Sequence, residues 1–135
     1  MPKVLILMGS ESDRPQMEKA VPILREAGVE CDIEVSSAHR QPDRTAELAR
    51  TAEEKGYGVI ICGAGLSAAL PGVVAAHTRL PVIGVPLAAG TLGGLDALLS
   101  IAQMPSGVPV ACVGIDNAKN AAHLALRILR VQAGR

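Results

Sequence analysis

Short apolar runs alternate with segments of helical periodicity along the chain, and this alternation restricts the fold more than any other feature. The runs predicted as strands are 4–8, 31–35, 59–62, 82–85 and 110–113. The segments predicted as helices are 17–24, 42–55, 70–77, 95–104 and 118–131. Repeated βα units imply a parallel sheet with helices on both faces. The sequence therefore predicts an α/β fold: a three-layer α/β/α sandwich around a parallel five-stranded, flavodoxin-like (Rossmann-like) sheet.

The 135 residues suit one domain, because single domains most often contain roughly 100–150 residues. We expect residues 1–135 to form it. With 49% hydrophobic and 19% charged residues, the chain is too apolar for intrinsic disorder. Pro22 lies within the first helical segment, where the missing N–H predicts a kink.

Charge and aromatic content limit the partners that the chain can bind. Its 13 basic and 13 acidic residues cancel, which argues against a nucleic-acid partner held by counterion release. Trp and Phe are absent and Tyr57 is the only tyrosine. A nucleotide would therefore be held by its phosphate and sugar rather than by stacking of its base.

The apolar runs are too short for a membrane span, which needs about 18 or more consecutive apolar residues. The three cysteines, Cys31, Cys62 and Cys112, are far apart and odd in number. This usage suits a reducing compartment better than a disulfide framework. We expect a cytoplasmic protein without a membrane partner.

Unusual residues follow the first three predicted strands. The three segments are 9–13 (GSESD), 36–40 (SSAHR) and 63–67 (GAGLS). Ligands of open parallel sheets bind outside the carboxyl ends of the strands, where the strand order reverses. We expect these loops to lie side by side and to form the functional site.

The first loop has the composition of a phosphate-binding turn. Gly9 permits a sharp turn, and two hydroxyls precede a helix predicted to begin near Asp13. Ser10 or Ser12 could instead cap that helix, with Asp13 completing a capping box. The two roles are compatible. Asp13 would repel a phosphate, so a sugar hydroxyl is its expected partner.

The second loop carries the strongest candidate for chemistry. His39 stands in a short polar turn, and imidazole titrates near pH 6.5, so it can give and take a proton at cellular pH. The planar fork of Arg40 suits a phosphate or carboxylate. We therefore predict His39 as the catalytic residue and Arg40 as a substrate-binding residue.

The third loop, GAGLSAALPG, lacks the dinucleotide fingerprint G-x-G-x-x-G, but its small residues let a ligand approach the backbone. His77 and His123 are predicted to be structural, and the cysteines to be small core residues. No pair of His, Cys or carboxylate residues has the spacing of metal ligands, so no metal is predicted.

Taken together, these loops resemble the catalytic subunit of phosphoribosylaminoimidazole carboxylase, the N5-carboxyaminoimidazole ribonucleotide mutase (PurE) family of de novo purine synthesis. The matching stretches are MGSESD at 8–13, SAHRQPD at 37–43, GAG at 63–65, LPG at 70–72, LPVIGVP at 80–86, LLSIAQMPSGVPV at 98–110 and NAAHLALRIL at 120–129. The resemblance thus covers nearly the whole chain. It implies a reaction without cofactor or metal, in which the carbamate carboxylate of N5-carboxyaminoimidazole ribonucleotide moves to ring carbon C4, and a homo-octamer.

The resemblance also implies roles for individual residues. The essential histidine of the family falls on His39, which would move the proton between the carbamate nitrogen and C4. Ser10, Ser12, Asp13 and Arg40 would hold the ribose and 5′-phosphate of the aminoimidazole ribonucleotide substrate. The remaining residues predicted to contact the substrate are Ser37, Ala38, Gly63, Ala64, Gly65, Ser67 and Leu70.

The third loop departs from the pattern of the mutases, which usually read GAGGAAHLPG. Leu66 and Ser67 replace Gly-Ala, and Ala69 stands in the place of a second histidine. The class that carboxylates aminoimidazole ribonucleotide with free carbon dioxide has a serine near this position, but usually a lysine in place of Arg40. A carboxylase of that class and a paralogue that carboxylates another nucleotide therefore stay open as alternatives. A receiver domain or a flavodoxin does not fit, because the acidic cluster and the stacking aromatics are absent.

Overall fold

The computed structural model describes residues 1–134, and its five strands form one parallel sheet in the order β2-β1-β3-β4-β5. The strands are β1 (Lys3–Met8), β2 (Cys31–Val35), β3 (Tyr57–Gly65), β4 (Val82–Leu87) and β5 (Ala111–Cys112). The helices are α1 (Arg14–Met17), α2 (Ala20–Glu26), α3 (Pro42–Thr51), α4 (Leu70–Ala76), α5 (Leu95–Ala102) and α6 (Ala118–Ala133). This strand order is flavodoxin-like, so the predicted fold class is confirmed.

The side chains of the central strands alternate between two cores, one on each face of the sheet. In β1, Val4 and Ile6 pack against α1, α2 and α6, whereas Leu5 and Leu7 face α3, α4 and α5. Buried alanines line the inner faces of several helices: Ala20, Ala49, Ala97, Ala118, Ala121, Ala122 and Ala125. These small side chains let the helix backbones lie close to the sheet.

The third strand is longer than the sequence indicates. Gly63, Ala64 and Gly65 were expected to break the strand, but they continue β3 and pair in register with Val85, Pro86 and Leu87 of β4. Pairing with a buried neighbouring strand therefore overrides the weak strand preference of glycine and alanine. The last strand is shorter than predicted, with only two residues paired to β4.

The first helical segment is divided rather than kinked at Pro22. The break falls at Glu18 and Lys19, and Pro22 is the third residue of α2. A proline ring clashes with the carbonyl four residues earlier, which here belongs to Glu18, and it needs no N–H partner in a first turn. Pro22 is therefore tolerated in the first turn of α2, directly after the break.

The only aromatic side chain lies at the amino end of the sheet. Tyr57 donates a 2.5 Å hydrogen bond from its hydroxyl to Asp32 Oδ2, and Lys3 Nζ lies 4.4 Å from the centre of its ring. Burial, followed by the bond to Asp32, raises the pKa of the Tyr57 phenol. These contacts tie together β1, β2 and β3 at the edge opposite their carboxyl ends. Among residues 1–134, no helix is long and apolar enough to cross a membrane.

Candidate functional site

A cavity of about 340 Å³ opens at the carboxyl ends of the strands, beside the point where the strand order reverses between β1 and β3. Such a crevice is the usual ligand site of an open parallel sheet. Every predicted site residue except Gly63 lines it: Ser10, Ser12, Asp13, Ser37, Ala38, His39, Arg40, Ala64, Gly65, Ser67 and Leu70. The topology therefore brings the three predicted loops together.

The first loop forms a short 3-10 turn, Glu11–Asp13, capped by Ser10. The Ser10 hydroxyl accepts a 3.3 Å hydrogen bond from the Ser12 backbone N–H and lies 3.0 Å from the Ser12 hydroxyl. The sequence left open whether Ser10 or Ser12 is the cap, and the structure shows that Ser10 caps this turn. Both serines also line the cavity, so capping does not remove them from it.

Asp13 places a carboxyl group in the cavity wall. Burial raises the pKa of this carboxyl, and the hydrogen bond from the Ser10 backbone N–H opposes the shift. The neighbouring Arg14 is held by Glu11 through two bonds of 2.7 and 2.9 Å. A partly desolvated carboxylate gains from hydrogen-bond donors, which the hydroxyls of a sugar supply.

The second loop is held in shape by its own polar groups. The Ser36 and Thr45 hydroxyls share a buried 2.7 Å hydrogen bond, and the Ser37 hydroxyl accepts a 3.1 Å bond from the Arg40 backbone N–H. These bonds fix the turn that presents His39 and Arg40 at the cavity.

The two charged or titratable side chains of this turn are exposed and unengaged. Within residues 1–134, neither the His39 ring nor the Arg40 guanidinium makes a hydrogen bond or an ion pair. Arg44, four residues later in α3, is instead bound to Glu34 at 2.9 Å and to the Val35 carbonyl. Arg40 is therefore free to pair with an anion that enters the cavity.

The third loop supplies a mostly apolar part of the cavity wall. A Cβ at Gly65 would lie 3.1 Å from Ala89 Cβ and 3.2 Å from the Leu87 carbonyl oxygen, so only glycine fits there without a shift. Leu66 follows with a left-handed φ of +56°, which costs a non-glycine residue about 1–2 kcal/mol. The α4 helix then begins at Leu70, with Pro71 in its first turn as predicted.

Gly63 lies outside the cavity lining. It is buried in β3, and a Cβ at this position would lie only 2.3 Å from Met17 Sδ. The glycine therefore makes room for Met17 of α1, the helix that directly follows Asp13. Its connection to the site is indirect, through the placement of the first loop.

Four lining residues were not predicted from the sequence: Gly9, Leu66, Ala69 and Ala89. Gly9 and Ala69 lie within segments that the sequence already singled out. Ala89 follows β4, which neighbours β3 in the sheet, so the position of that strand end would have indicated it. Leu66 gave a weaker signal, an apolar residue within a turn of small residues.

The other histidines and the cysteines lie away from this cavity. His77 Nδ1 is hydrogen-bonded at 2.8 Å to the Val73 carbonyl, which agrees with its predicted structural role. Burial raises the pKa of all three thiols, and Cys62 is fully buried. Residues 1–134 contain no group of three His, Cys, Asp or Glu side chains placed to hold a metal ion.

Comparison with known proteins points to one family. Residues 3–135 match the family described as AIR carboxylase. The chain is 60% identical to the N5-carboxyaminoimidazole ribonucleotide mutase of Pyrococcus abyssi over 132 residues, 98% of this chain and 76% of the relative. It is 58% identical to the mutase of Thermotoga maritima over 132 residues, 98% of this chain and 77% of the relative.

A solved structure agrees with these relatives. The crystal structure of Treponema denticola PurE superimposes with a TM-score of 0.85 at 34% identity, over 97% of this chain and 82% of that one. Sequence similarity and the fold thus lead to the same conclusion: the chain belongs to the AIR carboxylase family.

Proposed function

We propose that this chain is an N5-carboxyaminoimidazole ribonucleotide mutase of de novo purine synthesis, which forms 4-carboxy-5-aminoimidazole ribonucleotide. Its curated relatives carry the name of that mutase at 58–60% identity. The observation that carries the proposal is the meeting of His39, Arg40 and Asp13 in one cavity at the β1/β3 crevice. A carboxyl transfer within a ribonucleotide requires a group that carries a proton, a cation that binds the phosphate and a group that binds the sugar. His39, Arg40 and Asp13 meet these three needs in turn.

Different polar residues of the cavity bind different parts of the substrate. Arg40, Ser10 and Ser12 bind the 5′-phosphate, because within residues 1–134 the Arg40 guanidinium has no ion-pair partner and both serines line the cavity. Asp13 accepts hydrogen bonds from the ribose hydroxyls. The heterocycle then lies toward the backbone of Ala64 and Gly65, where the absence of bulky side chains allows close approach.

The chemistry is an isomerisation in which protons and electrons balance. The N–C bond of the carbamate breaks, carbon dioxide leaves, and the nitrogen takes a proton from His39. The electron pair of the enamine-like C4 then attacks carbon dioxide, and His39 takes back the proton that C4 loses. Positioned acid–base catalysis of this kind contributes about 10²–10⁴-fold. Because the reaction is an isomerisation with no net oxidation or reduction, it needs no electron carrier.

The rest of the acceleration comes from holding carbon dioxide beside the ring. Apolar side chains around the third loop, those of Ala69 and Leu70 among them, give a neutral gas no competing hydrogen bonds and leave water little to bind. Recombination within the cavity then replaces a bimolecular encounter.

We also propose that the protein assembles as a homo-octamer in the cytoplasm. Leu95 and Leu99 lie one helical turn apart on α5 and are 50% and 53% exposed, an apolar face that a second copy would cover. The free thiols of Cys31, Cys62 and Cys112 suit a reducing compartment. Sedimentation equilibrium is expected to give the mass of eight chains.

The experiment that tests the proposed reaction supplies the mutase substrate and leaves out the free carbon dioxide that a carboxylase would need. Purified protein is incubated with N5-carboxyaminoimidazole ribonucleotide in bicarbonate-depleted buffer, and the products are separated chromatographically. The mutase is expected to convert it to the C4-carboxylated isomer. A strict requirement for aminoimidazole ribonucleotide and added carbon dioxide would show the carboxylase instead. Failure with both substrates would indicate a paralogue with another substrate.

The environment of Asp13 predicts a trade between stability and binding. Folding raises the pKa of this carboxyl above its ordinary value of 3.8, so ionised Asp13 destabilises the native state once the pH exceeds that value. Asp13→Asn is therefore expected to raise Tm at pH 7 by a few degrees, an advantage that disappears below about pH 4. Substrate affinity should fall about tenfold as the charge-assisted bonds to the ribose are lost.

Calorimetric melts at both pH values and titration with the nucleotide measure these effects. Glu54→Gln, which removes an exposed carboxylate outside the cavity, is the control and should change neither quantity. A lower Tm for Asp13→Asn at pH 7 would contradict the assigned cost of burial.

A further inference from the structure

Leu66 has a backbone conformation that leucine rarely adopts. Its φ is +56°, in the left-handed region, and Asp116 is the only other described non-glycine residue with a positive φ. The Asp116 side chain stabilises its own turn by accepting a 2.9 Å hydrogen bond from the Ala88 N–H. A leucine has no polar atom with which to do this. Glycine would adopt the same turn without strain, so the strained leucine calls for a functional reason.

The Leu66 side chain connects two walls of the cavity. It follows β3, and its Cδ2 atom lies 2.8 Å from the place that a Cβ on Gly90 would occupy, in the loop after β4. Gly90 itself has a φ of +67°. The leucine therefore rests on the bare backbone of the facing loop, next to Ala89, which also lines the cavity.

The side chain also retains surface that a ligand could cover. It is 55% exposed although it lines the cavity, so much of its apolar area faces solvent. Contact with a bound heterocycle would remove that area from water, a favourable change that draws the leucine toward the ligand.

We propose that Leu66 is a positioning residue that retains carbon dioxide in the cavity between the two halves of the reaction. This inference rests on the proposed mutase function. The departing carbon dioxide is neutral and apolar, so no ion pair or strong hydrogen bond can hold it. Only walls that block its exit and exclude water can do so, and Leu66 supplies such a wall between the loops after β3 and β4.

The test measures how completely the carboxyl group is transferred rather than how fast the substrate disappears. Protein and N5-carboxyaminoimidazole ribonucleotide are mixed in buffer containing ¹³C-bicarbonate and carbonic anhydrase. Mass spectrometry then gives the fraction of product labelled in its carboxyl group and the amount of free aminoimidazole ribonucleotide. The wild type should transfer its own carboxyl group with little label. Leu66→Ala should increase both the label and the free ribonucleotide roughly tenfold, the effect of one lost apolar contact in a pocket.

Three further variants separate the side chain from the backbone. Leu66→Gly relieves the strained φ but removes the side chain, so it should lose carbon dioxide to the solvent as Leu66→Ala does. Leu66→Met keeps an apolar side chain and should transfer its carboxyl group nearly as the wild type does. Leu92→Ala removes an exposed leucine, 59% accessible, that does not line the cavity, and should behave as the wild type.

The outcomes distinguish this inference from the function on which it rests. A wild type that makes no C4-carboxylated product overturns both. If the wild type is active and Leu66→Ala retains carbon dioxide as fully as the wild type does, the proposed role of Leu66 is wrong and the mutase function is unaffected. Leakage in Leu66→Gly alone would assign the effect to backbone flexibility, and leakage together with a changed molecular mass would assign it to a subunit contact. Either result overturns the proposal.

Discussion

His39→Asn is expected to remove nearly all turnover while leaving nucleotide binding within a few fold of the wild type. Asparagine keeps a polar side chain in the turn but can neither take the C4 proton nor protonate the carbamate nitrogen. Loss of a positioned acid–base group lowers kcat by about 10²–10⁴-fold. The binding groups of Arg40, Ser10 and Asp13 remain in place, so the dissociation constant should change little. Steady-state kinetics and calorimetric titration with aminoimidazole ribonucleotide measure the two quantities separately.

His77→Asn is the matched control for this variant. The His77 ring is bonded to the Val73 carbonyl and lies outside the cavity lining, so its replacement should leave kcat unchanged. Wild-type kcat in His39→Asn would remove His39 from the reaction. A large loss of affinity with normal kcat would assign His39 to substrate binding instead.

Gly63→Ala is expected to produce the second large effect, a loss of about 1–3 kcal/mol in the free energy of unfolding. The new Cβ would lie 2.3 Å from Met17 Sδ in a buried position, so the methionine must move. Met17 ends α1, and its displacement shifts the helix that follows Asp13. Substrate affinity should therefore fall together with stability.

Two controls show whether packing is the cause. Gly9→Ala introduces a Cβ that no side chain or backbone atom of residues 1–134 beyond its chain neighbours approaches within 4 Å, so the free energy of unfolding should stay nearly unchanged. In the double variant Gly63→Ala with Met17→Ala, the cavity left by the methionine accommodates the new methyl group. The double variant should lose less stability than the two single variants combined. If Gly63→Ala keeps a normal Tm but loses substrate affinity, packing is not the cause and Gly63 contacts the substrate, as the sequence predicted.

The sequence was sufficient to locate the site because the site depends on topology. Apolar runs identified the strands, and the carboxyl ends of parallel strands meet at one edge. The sequence alone therefore places His39, Arg40 and Asp13 together, and all three line the cavity. Their surroundings, small polar loops rather than apolar faces, indicated chemistry rather than packing.

Other features depend on tertiary contacts that periodicity does not encode. Gly63 and Gly65 have poor strand propensity, and they belong to β3 because Gly63 pairs with both β1 and β4 and Gly65 pairs with β4. The two glycines also make room for different neighbours, because a Cβ at Gly63 would meet Met17 and a Cβ at Gly65 would meet Ala89, a distinction that only the three-dimensional structure shows. The left-handed conformation of Leu66 is likewise imposed by the turn that follows β3, against the preference of the residue.

The position of Tyr57 at the amino end of the sheet has a practical consequence. It starts β3, whose nine residues place it roughly 26 Å from Gly65 at the cavity. With neither Trp nor Phe in the chain, a single phenol supplies nearly all the near-ultraviolet signal of the protein. Fluorescence of that phenol would follow denaturation without responding directly to an occupied cavity. An absorbance change during turnover would come almost wholly from the aminoimidazole ring of the substrate. Tyrosine fluorescence can therefore report denaturation and absorbance can report catalysis in the same sample, with little interference between the two signals.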